Sequence, residues 1–147
     1  MTERTVFQSM AQRHVVSVLP NATVHTAACV MTRTNNSSVL VIDTNQTLLG
    51  IVTERDMITR VLAKTLDPQQ ATVTEVMTRS PHCVHPEMKV ADAVLMMIER
   101  GFRHLPVVTA DNQKILGVFS VRDALPPEVN AAVNLAEFNE QVNDALG

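Results

Sequence analysis

Tryptophan and tyrosine are absent, and four phenylalanines are the only aromatic residues in 147. A core of stacked rings is therefore excluded, and Val, Leu, Ile, Ala and Met, within an apolar total of 46%, must fill it. Four glycines in the whole chain leave no Gly-rich phosphate loop of the Walker type. Cys29 and Cys83 are the only cysteines, each among apolar residues, so a disulfide framework is excluded and two buried free thiols are expected. His82-Cys83-Val84-His85 carries metal-ligating side chains, but on a strand His82 and His85 point to opposite faces, and no metal is expected. Lys and Arg are few and scattered in a chain of net charge −3, which provides no basic stripe for nucleic acid. No apolar run approaches the roughly 20 residues of a membrane span, and Met1-Thr2-Glu3-Arg4-Thr5 lacks the apolar centre of a signal peptide. The expectation is a soluble cytoplasmic protein with neither a membrane nor a nucleic-acid partner.

What is present is a repeat. Gly50-Ile51-Val52-Thr53-Glu54-Arg55-Asp56-Met57 returns sixty-seven residues later as Gly117-Val118-Phe119-Ser120-Val121-Arg122-Asp123-Ala124. Upstream, Val18, Pro20, Val24 and Ala28 are echoed sixty-six residues on by Val84, Pro86, Val90 and Val94. Six residues lie between Asp43 and Gly50 and seven between Thr109 and Gly117, so the one-residue slip falls in a polar turn, where insertions disturb little packing. Each half alone would be a marginal fold, so the two are expected to share a core. The boundaries read as a first repeat over 1–66, a linker at 67–71 around Asp67-Pro68, a second repeat over 72–125 and an appended helix over 126–147.

Periodicity gives each repeat the same elements. In the first, a short helix over 3–12 leads to a strand at 15–18, and Thr23 caps a helix carrying Val24, Ala27, Ala28 and Met31 on one face. A hairpin of strands 38–42 and 48–52 and a helix over 54–63 complete it. In the second, a short helix at 73–77, a strand at 83–84, a helix over 89–100, strands at 104–108 and 115–119 and a short last element come in the same order. The 89–100 helix sets Val90, Ala93, Val94, Met97 and Ile98 in a stripe that should face the core, with Gly101 ending it. Met88, Met96 and Met97 read as packing. The fold class is α+β, two β-α-β-β-α repeats packed as a pseudo-twofold pair with a carboxy-terminal helix.

The repeated motif has two chemistries. A hydroxyl followed three residues later by an acid at a strand end is a helix start, with the side chains capping free amides. The same geometry offers N–H groups and a hydroxyl to a phosphate, while the aspartate can accept from both hydroxyls of a ribose and Arg55 and Arg122 can reach an anionic tail.

On these residues the chain resembles a tandem pair of cystathionine-β-synthase (CBS) domains. The likeness covers roughly residues 5–125 and rests on Gly-h-h-Thr/Ser-x-x-Asp, h being apolar, appearing twice in register. Arg103-His104-Leu105-Pro106-Val107-Val108 and Val76-Met77-Thr78 add to it. The resemblance implies two clefts between the halves that take adenosine compounds. Thr53 and Asp56 would serve one cleft and Ser120 and Asp123 the other, as phosphate or ribose contact and ribose acceptor. Adenine would lie against the strand entries near Val16 to Val18 and His82 to Val84, and Arg103 and His104 would face the phosphates. The matching positions in the first copy are Ser37 and Ser38, so the clefts should differ. Thr53-Glu54-Arg55-Asp56 is the fuller motif, whereas Pro126 and Pro127 stop or redirect the helix after Asp123.

The implied function is a stand-alone regulatory module that binds AMP, ADP or ATP as a regulatory ligand, requires no cofactor, forms a homodimer and signals to a regulated protein partner. A scaffold with empty clefts, and a sensor of NAD or S-adenosylmethionine, are the alternatives. No enzymatic activity is expected, because nothing places a Ser, His and Asp in a nucleophile elbow. Beyond the prolines, Val129, Ala132, Val133 and Ala136, with Leu135, Phe138, Val142 and Leu146, give the appended helix broad apolar faces for a core edge or a partner.

Overall fold

A computed structural model describes residues 3–126 and, beyond them, residues 132, 135, 136 and 138–140. The element order is α1 (Val6–Ser9), β1 (Ser17–Val18), α2 (Val24–Thr34), β2 (Ser38–Ile42), β3 (Leu48–Thr53) and α3 (Glu54–Asp56), which runs on as a π-helix, Met57–Leu62. Then come α4 (Val73–Val76), β4 (Thr78–Arg79), α5 (Val90–Arg100), β5 (His104–Val108), β6 (Ile115–Ser120) and a 3-10 turn, Val121–Ala124.

Local chemistry accounts for these boundaries. Thr23 accepts from the Thr26 amide to start α2, which buries Val24, Ala27 and Met31 and ends at Asn35 in the left-handed region at φ 54°. Sixty-six residues on, α5 buries Ala93 and Met97 and ends at Gly101, φ 74°. Ile98, expected to face the core, lies outside at 73% exposure, because α5 turns only its Ala93–Met97 edge towards the sheet. Cys29, expected to be buried, is exposed on α2; Cys83 is half-buried, and its surroundings push the thiol pKa up. Met97 is buried in the core, while Met88 and Met96 pack half-buried against it.

The first repeat carries a four-stranded sheet in the order β1-β2-β3-β4, with β1 parallel to β2 and the other pairs antiparallel. The second carries the β5-β6 hairpin. The strand expected at Cys83 and Val84 is reduced to a single parallel bridge between Val84 and Val107, held by 2.9 Å bonds to Pro106 and Val108. The β4 strand was not signalled in the sequence, being two polar residues whose pairing with Gly50 and Ile51 is purely tertiary. Both hairpins carry a register shift at the same place, between Val41 and Ile42 and between Val107 and Val108.

The two repeats exchange their opening helices. α1 lies in the core of the second repeat, where Val6 and Met10 pack with Val84, Ala93, Met97, Leu105, Val107 and Phe119. Conversely, α4 delivers Val73, Val76 and Met77 to the core of the first, among Val24, Ala27, Val39, Val41 and Val52. The backbone repeats the exchange: Val6 N donates to Met88 O and Val73 N to Ala22 O, both at 2.8 Å. Thr5 with Gln8, and Thr72 with Glu75, form matching capping boxes. The glycines of the repeated motif admit this packing, since a Cβ on Gly50 would lie 2.5 Å from Met77 Sδ and one on Gly117 3.0 Å from Met10 Cε. A third cluster joins the sheets, with Leu40, Ile42 and Ile51 meeting Ile115 and Val118. The described residues of the appended helix are helical, and Leu135 and Phe138 are each 61% exposed. Its expected apolar positions Val129, Val133, Val142 and Leu146 lie outside the described residues.

Candidate functional site

Both copies of the motif close the same local ring at the end of the hairpin's second strand. The Thr53 hydroxyl accepts from Asp56 N at 3.3 Å while Asp56 Oδ2 accepts from Thr53 N at 2.9 Å. In the second copy Asp123 Oδ2 accepts from Ser120 N at 2.9 Å and from the Ser120 hydroxyl at 3.4 Å. The capping chemistry is thus real, and it uses one carboxylate oxygen in each copy. Both aspartates are buried, with exposures of 7% and 6%, so the remaining oxygen decides what the site can bind.

Asp56 lines a cleft of about 640 Å³ between the repeats. Thr53, Arg55, Asp56, His82, Arg103 and His104 all line it, so six of the sequence-derived residues meet there. Arg60 and Phe102 line it too and were not foreseen. Arg60 Nε stands 3.6 Å from Asp56 Oδ1, and its Nη1 donates to the carbonyls of Val76 and Met77 at 2.9 and 3.0 Å. This arginine ties the acid to the exchanged helix α4; its only sequence signal is the i, i+4 spacing from Asp56. At the other end the His82 ring stands 5.6 Å from that of Phe102 and accepts from Arg100 Nη1 at 3.1 Å, an apolar and aromatic wall suited to a flat base.

Ser120, Arg122 and Asp123 line a second cleft, of about 120 Å³, together with Ala11, Asn36 and Ser37. His104 borders both clefts. Its Nε2 is 2.6 Å from the Ser37 hydroxyl, so the serine standing where the second copy has arginine is a direct partner of the histidine. Val16, Val18 and Val84 line neither cleft. Val18 and Val84 are buried at 8% and 0% exposure and Val16 packs against the first core, because these strand entries turn their apolar side chains inward. Among the described residues no group of three or more His, Cys, Asp or Glu is placed to hold a metal ion, and no helix is long and apolar enough to cross a membrane.

Burial, then the neighbouring Arg103 charge, push the His104 pKa below its ordinary 6.5, against an opposing pull from Asp56. The neutral form is therefore favoured in the folded chain. Just below pH 6.5 the unfolded chain binds more protons, so stability rises with pH through that window and is lost as pH falls through it. Urea midpoints between about pH 5 and about pH 7 should rise more steeply for the wild type than for His104→Gln. Equal slopes would show that His104 contributes nothing to the pH dependence.

Comparison with known proteins agrees with this architecture. The CBS domain profile matches residues 7–63 and again 73–126. The Schizosaccharomyces pombe protein "Meiotically up-regulated gene 70 protein" is 32% identical over 86% of this chain, and the chain spans only 19% of its length. Among solved structures, the CBS-domain containing protein ATU1752 from Agrobacterium tumefaciens superposes with a TM-score of 0.74 at 26% identity, covering 82% of this chain and 94% of that one. CBSX2 in complex with AMP superposes with a TM-score of 0.65 at 29% identity, covering 90% and 98%. The chain belongs to the CBS domain family, and its two repeats form a CBS pair.

Proposed function

We propose that the pair is a regulatory module that binds an adenine nucleotide in the cleft containing Thr53 and Asp56. One observation carries the reading: a buried aspartate, with one oxygen fixed by its own capping ring and the other 3.6 Å from Arg60 Nε, lines a cleft of about 640 Å³. That volume lies within the roughly 300–1,000 Å³ usual for small-molecule sites. Arg55 and Arg103 supply charge for phosphates, the Thr53 hydroxyl a further polar contact, and the wall of His82 and Phe102 a surface for the base. The AMP bound by the CBSX2 neighbour supports the ligand class. Leu95 and Ile98, 53% and 73% exposed on α5, support the expected homodimer, since an apolar helix face of this kind is commonly covered by a partner.

A thermal-shift series with AMP, ADP, ATP, NAD, S-adenosylmethionine and GMP tests the reading. The melting temperature should climb with adenine nucleotide concentration, by the equivalent of about 2.7 kcal/mol at a hundred times Kd, and stay unchanged with GMP. No shift with any adenosine compound at millimolar concentration would leave the scaffold with empty clefts as the function. Nucleotide recovered intact after incubation is expected of a sensor, whereas turnover would make the module an enzyme.

A further inference from the structure

The two clefts differ in what satisfies the second oxygen of the aspartate. Asp123 Oδ1 accepts a hydrogen bond from the backbone amide of Ala11 at 3.1 Å, a donor from the opening segment of the chain more than a hundred residues away. A ribose hydroxyl bound to Asp123 would compete with this amide for that oxygen. In the first cleft the residue sixty-seven positions on from Ala11 is Thr78, which pairs with Ile51 as part of β4 and lies along the sheet. No strand forms at Ala11: the chain leaves α1 at Met10, bends at Ala11 and there lines the second cleft.

Independent features hold the segment there. Met10 is 4% exposed in the second core. Gly117, at φ +148°, lets the chain pass so near that a Cβ would lie 3.1 Å from the His14 carbonyl oxygen and 3.6 Å from that of Gln12. Ala11 and Gln12 are themselves part of the wall of the second cleft. Asn35 and Asn36 line it where the first cleft has Gly101 and Phe102, so the Phe102 ring has no counterpart. The space left is about 120 Å³, well under the roughly 300 Å³ at which small-molecule sites begin.

We infer that the second cleft is closed by the chain itself, with the Ala11 amide in the place of a ribose hydroxyl on Asp123, so that each chain takes one nucleotide and takes it at Asp56. This rests on the proposed nucleotide-binding reading. It also makes the opening segment a gate: a ligand that entered the second cleft would have to displace the Ala11 bond first.

Calorimetric titration of the full chain with AMP, together with amide hydrogen exchange at Ala11, tests the inference. The expected result is one AMP per chain, with Ala11 exchange unchanged within about twofold between free and saturated protein. Ala11→Pro removes the donor, and Met10, at φ −64° and ψ 122°, already has the extended backbone that a following proline requires. That variant should bind a second AMP, more weakly than the first because the aromatic wall is still missing. Two AMP bound by the wild type, with Ala11 exchange accelerated at least about tenfold on saturation, would overturn the inference while leaving the nucleotide reading intact. A folded Ala11→Pro variant that still takes only one would show that the amide is not what closes the cleft. If Ala11→Pro fails to fold, the wild-type stoichiometry and exchange decide alone. Absence of any AMP binding would instead remove the nucleotide reading on which the inference stands.

Discussion

Asp56→Ala should lower adenine nucleotide affinity by about a hundredfold, because in the proposed site the carboxylate would accept from the ribose hydroxyls, and each charge-assisted bond contributes about 1.5–3 kcal/mol. The side chain is 7% exposed and one of its oxygens serves Thr53 N, so the carboxylate is held in place before any ligand arrives. Arg60 Nε lies 3.6 Å from Asp56 Oδ1, and without the carboxylate it keeps only its bonds to the Val76 and Met77 carbonyls. Loss of the capping ring also costs the unliganded protein about 1 kcal/mol, so its melting temperature falls by a few degrees before any ligand is added. The diagnostic quantity is therefore the slope of melting temperature against AMP concentration. Asp56→Asn, which keeps the shape and one acceptor but loses the charge, should fall between the two. A slope in Asp56→Ala equal to that of the wild type would refute the role of Asp56 and place the ligand elsewhere.

The second large effect concerns folding. Fragments 1–66 and 72–126, made separately, should each show no cooperative unfolding, and mixing them should restore it. The reason is the exchange of opening helices. Fragment 1–66 retains α1, whose Val6 and Met10 belong to the other core, and lacks Val73, Val76 and Met77, which complete its own. Burial of side chains of this size stabilises by about 1.5–3 kcal/mol each, so losing three removes an amount comparable with the whole stability of a small domain. Fragment 72–126 loses Val6 and Met10 by the same argument, together with the capping of its last turn, where Arg4 donates to the carbonyls of Ala124 and Leu125 at 3.2 and 3.1 Å. Cooperative melting of either fragment alone, followed by circular dichroism, would show that a repeat is self-sufficient and that the exchange only decorates it.

Much of this was legible in the sequence, and particular residues show why. The run Val39–Ile42 is an unbroken apolar stretch, and with Ser38 before it forms a fully buried strand with the expected ends. Thr23 and Gly101 mark helix ends through chemistry confined to a few neighbours, and both stand where local rules place them. The two Gly-h-h-Thr/Ser-x-x-Asp motifs come to equivalent ends of two hairpins, since a repeat in sequence with the same local preferences folds as a repeat in space. Six of the candidate residues, from Thr53 to His104, meet in one cleft for that reason.

Other features were not legible. Val16, Val18 and Val84 were placed beside a base, yet they face the core, because an apolar strand residue suits either environment and only the packing of neighbours chooses. Ile98 continued the apolar stripe of its helix and is exposed, since a stripe records hydrophobicity and not where the sheet ends. Nothing in the sequence marks Arg60, because an arginine four residues after an aspartate is ordinary on any helix; its bonds to the Val76 and Met77 carbonyls exist only once α4 has crossed over.

The sequence by itself determined the two-repeat α+β pair, its turns and caps, and the motif residues that converge on a cleft, because each of these comes from chemistry within a few positions or from the repeat itself. Only the tertiary structure decided that the opening helices are exchanged and that Asp56 and Asp123 have different fates. Periodicity reports which face of a segment is apolar but not which other segment will cover it. The donor that closes the second cleft is a backbone amide, a group carried by every residue except proline, so no side chain could have marked Ala11 before the chain had folded over Asp123.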